Sequence, residues 1–167
     1  TQTEQPVAFS GEINPETFSV TMDEAGDLVA SQPGDSKTVA DLTAGDGKMS
    51  WRYPEEAVVV ELTQHSNYLD VLLRYAGPAD AEASFAWPIV SGDDYTLPIG
   101  EGKRFAADDP VWTDYLGGQT WEMIESFPMS FASAGKGDKA LVYVFPENSN
   151  NEIVFTESGA LGFTVRH

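Results

Sequence analysis

The chain contains no cysteine, which excludes a disulfide framework, thiol catalysis and thiolate zinc sites. Histidine is almost as scarce. His65 falls in an expected hairpin turn and His167 is the last residue. The chain also lacks a Gly-x-Ser-x-Gly elbow, so a Ser–His nucleophilic centre has no support. With no close His pair, zinc is a poor fit. No apolar run approaches the ~20 residues that would span a bilayer. The opening Thr1-Gln-Thr-Glu-Gln-Pro6 is polar and does not read as a leader; it suits equally a mature end left after processing and an arbitrary cut from a longer chain.

Positive charge is the other shortage. Nine Lys and Arg face 27 Asp and Glu, for a net charge of −18. The excess is spread through both halves and is not an acidic tail. Such a surface repels phosphate backbones and anionic headgroups, so nucleic acid and membrane insertion are not expected. Solubility is the plain reading of the charge.

What is present is strand rhythm. At 167 residues, 41% hydrophobic and 11% aromatic, the chain can bury a core as one globular domain without linkers or repeats. Short alternating runs are broken by Gly, Pro, Asn and Asp. Strands are expected near Val7–Ser10, Thr17–Met22, Asp27–Ala30, Lys37–Thr43, Met49–Tyr53, Ala57–Gln64, Tyr68–Ala76 and Glu82–Pro88. Others are expected near Thr120–Glu125, Met129–Ala134, Ala140–Phe145, Glu152–Thr156 and Leu161–Arg166. Turn signals such as Ala25-Gly26, Asp46-Gly47 and Gly135-Lys-Gly137 separate them. The pattern predicts an all-β, antiparallel two-sheet sandwich.

Ser91 to Gly118 breaks the rhythm, with three glycines before Lys103 and no steady alternation. Asp108-Asp109 followed by Pro110 signals a helix start, and Gly117-Gly118 a stop. One short helix over Pro110–Leu116 is expected inside an otherwise irregular excursion. It could carry function or cover a sheet edge.

Little chemistry stands out. Calcium suits carboxylate oxygens, so a structural calcium near Asp93, Asp94, Asp108 and Asp109 is the cation these residues could hold, although Asp109 also reads as a helix cap. No metal site is assigned. Glu101, Asp108 and Asp109 are the acids in the excursion that a paired-carboxylate mechanism would draw on, but separation in space cannot be read from spacing. Among the aromatics, Trp87 and Trp121 fall in expected strands and read as core. Trp112 and Tyr115 are three apart on the expected helix, hence on one face. They either anchor that helix or, with Tyr95, offer ring faces to a sugar.

From Tyr95 to Phe155 a longer pattern emerges. Leu97-Pro-Ile-Gly-Glu-Gly-Lys-Arg104, Ala107-Asp-Asp-Pro-Val-Trp112 and Tyr115-Leu116 are followed by Pro128-Met-Ser-Phe131, Leu141-Val-Tyr-Val144 and Asn150-Asn-Glu-Ile-Val-Phe155. This stretch resembles the N-terminal, galactose-mutarotase-like β-sandwich of multidomain bacterial glycoside hydrolases. The resemblance implies a noncatalytic accessory domain, secreted or at the cell surface, that supports a catalytic barrel of the same polypeptide. The chain would then be a fragment of a longer protein, and the catalytic carboxylates would lie outside it. It also makes Tyr95, Glu101, Lys103, Arg104, Trp112 and Tyr115 the candidate carbohydrate-binding residues. Two other readings stay open: an independent carbohydrate-binding module, and an adhesion or structural sandwich that binds another protein. The last predicts an uncovered sheet edge or an apolar patch.

Overall fold

The computed structural model describes residues 13–31, 36–65, 68–90, 92–99, 102–122, 131–145, 151–156 and 161–166. The strand expected at Val7–Ser10 lies outside them, as do Glu101, Ser66-Asn67, residues 123–130 and 146–150, His167 and the side chain of Trp87. The described residues are all-β with one short α-helix. The chain gathers into two compact units: Thr1–Phe18 with Ala30–Ala83, and Ser19–Val29 with Ser84–His167. The division passes through β1 (Phe18–Met22) and β2 (Leu28–Ser31), which form a two-stranded sheet.

The first unit is built on a four-stranded antiparallel sheet in chain order, β3 (Ala40–Gly45), β4 (Lys48–Tyr53), β5 (Val58–Gln64) and β6 (Leu69–Tyr75). The two-residue Asp46-Gly47 connection has positive φ at both residues, the mirror-image turn whose twist matches the strands it joins. Alternation in β5 sends Val58, Val60 and Leu62 inward, where all are buried. Trp51 and Tyr53 share that face, and Phe18 meets Trp51 edge-on at 5.1 Å. The Tyr53 hydroxyl donates to the Pro15 carbonyl at 2.5 Å, giving its buried polar atom a partner. The strand expected from Lys37 begins only at Ala40.

The second unit is a two-sheet antiparallel sandwich. One sheet runs β10 (Thr120–Glu122), β13 (Glu152–Phe155), β14 (Leu161–Arg166), β7 (Ser84–Val90). The other runs β12 (Lys139–Val144), β11 (Phe131–Lys136), β8 (Asp94–Leu97), β9 (Lys103–Ala106). Tyr95, Leu97, Phe105, Ala132 and Ala134 from the second sheet share a core with Ile153, Phe155, Leu161 and Phe163 from the first. Across this core the Tyr143 and Phe163 rings are 4.7 Å apart. The small Ala132 and Ala134 leave room for the Phe155 and Phe163 rings of the opposing sheet and for Tyr95, which is paired with Ala134 in their own.

β8 and β9 correct the reading of Ser91–Gly118 as irregular apart from its helix. They pair with each other antiparallel, Asp94 opposite Ala106 and Leu97 opposite Lys103, and β8 pairs with β11. The excursion is thus half of one sheet. The helix α1 (Pro110–Leu116) follows, with the bounds the sequence predicts. Asp109 caps it, its carboxylate accepting from Val111 N–H at 3.0 Å, an interaction worth about 1 kcal/mol. Gly118, at φ 72°, supplies the left-handed turn that ends it.

Candidate functional site

The residues that could meet a ligand cluster around α1. β9 alternates outward Arg104 with inward Phe105, and Phe105 is buried in the sandwich core. Trp112 lies on Phe105 with ring centroids 5.2 Å apart and planes 22° from parallel. One turn on, Leu116 is buried, so the Trp112–Leu116 stripe fastens the helix to the sheet. Tyr115 extends the aromatic series outward. It meets Trp112 edge-on at 6.0 Å and Trp121 of β10 at 5.9 Å.

Tyr115 is 50% exposed and Val111, one turn earlier on the same side, is 71% exposed. The Lys103 ammonium stands 5.4 Å from the Trp112 ring centroid, a cation–π contact at the border of the cluster. The Gln119 side chain donates to the Tyr115 carbonyl and holds the last turn in place. The result is an aromatic platform with one half-exposed tyrosine, a cationic rim and an exposed valine.

The other sequence candidates divide. Tyr95 is only 2% exposed, so its ring offers no face to a sugar and its place in the candidate set is corrected: it is a core residue. Its inward direction follows from β8 being a strand. Its hydroxyl accepts from Gly92 N–H at 3.3 Å, and burial raises its pKa above the phenol range. Arg104 is exposed but grips Asp94 through two bonds, Nε to Oδ1 at 3.0 Å and a terminal nitrogen to Oδ2 at 2.7 Å. This fork-to-fork contact raises the Arg104 pKa. It aims the guanidinium along the outer face of the sheet. Lys103 and Trp112 are brought together with Tyr115; Arg104 and Tyr95 are not part of that group.

The same contacts bear on calcium. Asp94 is taken by Arg104, Asp109 caps α1, and the Asp93 carboxylate accepts from Gly137 N–H at 3.3 Å. Among the described residues, no group of three or more His, Asp or Glu side chains is placed to hold a metal ion.

Sequence reasoning missed Phe105, the floor on which Trp112 rests, and did not place Trp121 beside Tyr115. The signal for Phe105 was the alternation of Tyr95, Leu97 and Phe105, weakened by strands of four residues and intervening glycines. In the first unit, an open depression of about 190 Å³ beside the Asp46-Gly47 turn is lined by Ile13, Met49, Leu62 and Gln64, with no aromatic ring among the described residues that line it. No described helix is long and apolar enough to cross a membrane. Comparison with protein-family models, curated proteins and solved structures finds no match to this chain.

Proposed function

We propose that this chain is a noncatalytic β-sandwich module of a secreted carbohydrate-active protein, and that it meets sugar through the α1 platform. The observation that carries this reading is the half-exposed Tyr115, held by Trp112 and Trp121 and bordered by Lys103. A ring fixed on both sides loses little freedom when the C–H face of a sugar stacks on it. A lysine at the rim adds donors for hydroxyl oxygens. The acidic surface favours a neutral glycan over an anionic one. In the accessory role, the same platform borders the substrate path of a catalytic domain in the same polypeptide.

The test is calorimetric titration of the chain against a panel of neutral and acidic oligosaccharides. A neutral glycan should bind, and Tyr115→Ala should weaken it at least about tenfold, a loss in keeping with one stacked ring. Failure of every glycan to bind, or binding indifferent to Tyr115 and Trp112, would overturn the sugar contact.

A second reading, a sandwich that binds another protein, is favoured by one specific observation. On β12, Val142 and Val144 are exposed on the outer face, with Val144 opposite Phe131. Apolar residues in a row on an edge strand suit a protein surface better than a sugar.

A further inference from the structure

The sheet of the first unit ends on β3 at one side and β6 at the other, among the described residues. The two edges are built differently. In β3 the register with β4 shifts between Ala40 and Thr43, so Asp41 and Leu42 together stand across from Trp51, and Asp41 takes φ 55°. A bulge of this kind breaks the regular row of main-chain groups that another strand would need. β6 has no such interruption. All seven residues from Leu69 to Tyr75 are in continuous register with β5, and none is proline or lysine.

The hydrogen-bond phase of β6 follows from its two ends. Ala76 N–H donates to the Ala57 carbonyl at 2.7 Å, and His65 N–H to the Tyr68 carbonyl at 3.0 Å. Bonded pairs alternate along an antiparallel ladder, so Asp70, Leu72 and Arg74 turn their main-chain groups toward β5. Val71 and Leu73 turn theirs to the open edge. The outward side chains of Asp70, Leu72 and Arg74 are exposed, Leu72 by 54%, whereas the inner row is only partly covered.

We propose that β6 is a self-association edge, at which a second copy of this chain adds its own β6 antiparallel about a twofold axis at Leu72. The sequence of β6 is self-complementary about that residue. Val71 of each copy falls opposite Leu73 of the other, and both present main-chain groups outward, so the bonding phase matches. Asp70 falls opposite Arg74 of the second copy, and symmetry repeats that pair on the other side of the axis. Leu72 faces its own image, and Leu69 stands opposite Tyr75. Slipping the pairing to the next register of the same bonding phase sets Arg74 against Tyr68 or against Leu72, and the charge match is lost. Within one copy, Arg74 is 3.3 Å from Glu61 and Asp70 is 3.1 Å from His65, both exposed pairs that leave the charges within reach of a neighbour.

The net charge of −18 opposes association, so the dimer is weak and best measured at physiological salt, where a Debye length of about 8 Å screens distant charges but not contact pairs. Sedimentation velocity over a concentration series reads it. The wild-type chain should pass from monomer to dimer. Asp70→Arg and Arg74→Asp should each raise the dimer dissociation constant at least about tenfold, because each turns both opposite-charge pairs into like pairs. A mixture of the two variants, and the Asp70→Arg/Arg74→Asp double variant, should recover wild-type association. Leu72→Lys, at an exposed site that folding tolerates, sets two cations face to face and should abolish it. Circular dichroism confirms that each variant is folded. A wild-type chain still monomeric at about 1 mM overturns the proposal. So does a dimer indifferent to the charge reversals and to Leu72→Lys, or a mixture of folded variants that fails to associate.

Discussion

The hydroxyl of Tyr143, on β12, donates to the main-chain carbonyl of Val20, on β1, joining residues far apart in the chain within the second unit. Burial raises the Tyr143 pKa well above that of a free phenol, and burial likewise raises those of Tyr53 and Tyr95. The folded state therefore holds these protons more tightly than the unfolded chain. Their contribution to stability is complete below the unfolded value of 10.0 and is lost as pH rises above it toward the folded values. Denaturant melts should give a falling midpoint above pH ~10. In Tyr143→Phe the latest step of phenolate absorbance should vanish, and stability at neutral pH should fall by about 1–2 kcal/mol because the Val20 carbonyl loses its donor.

Trp112 and Tyr115 separate anchoring from exposure. Trp112→Ala removes the ring stacked on Phe105 and should cost about 2–4 kcal/mol in urea denaturation. Tyr115→Ala, at a half-exposed site, should cost less than about 1 kcal/mol. Equal losses would show that the platform is uniformly structural.

Two backbone positions should respond in opposite directions. A Cβ on Gly92 would sit 2.8 Å from the Gly135 carbonyl oxygen, a main-chain atom that cannot swing aside. Gly92→Ala should destabilise by about 1–3 kcal/mol. Ala57 has φ 53° in the turn before β5, a conformation that burdens any L side chain. Ala57→Gly should raise the thermal midpoint, by the equivalent of about 1 kcal/mol.

Glu122 and Glu152 stand directly opposite one another where β10 pairs with β13. Like charges across a ladder repel, and Glu152 is buried while Glu122 is exposed. Glu122→Lys should stabilise by roughly 0.2–1 kcal/mol, with the gain shrinking as salt is added. No change at low salt would mean that Glu152 does not sense the charge opposite.

Legibility in the sequence followed the strength of local signals. The hairpin at Ala57–Ala76 was plain because seven-residue strands alternate cleanly on either side of a turn. Helix α1 was plain because Asp109, Pro110 and the two following glycines act locally, on the helix's own backbone. β8 and β9 were hidden because four-residue strands bury so few side chains, Tyr95 and Leu97 in β8 and Phe105 alone in β9, too few to establish a period. That concealment spread to the site. With β8 unread, Tyr95 looked available, and with β9 unread the pairing of Arg104 with Asp94 had no basis. The Trp112–Tyr115 face survived because three-residue spacing on a helix needs no tertiary information.

The bulge at Asp41 has a bearing on stoichiometry. A sheet with two regular margins can grow at both, and identical copies then stack into a filament without end. Here one margin of the first-unit sheet is regular and the other is broken at Asp41 and Leu42. Joining two copies through β6 consumes the regular margin of each and leaves a broken one at either end of the extended sheet. Growth by this route terminates at the pair, and straightening β3 would be the change that releases it into polymer.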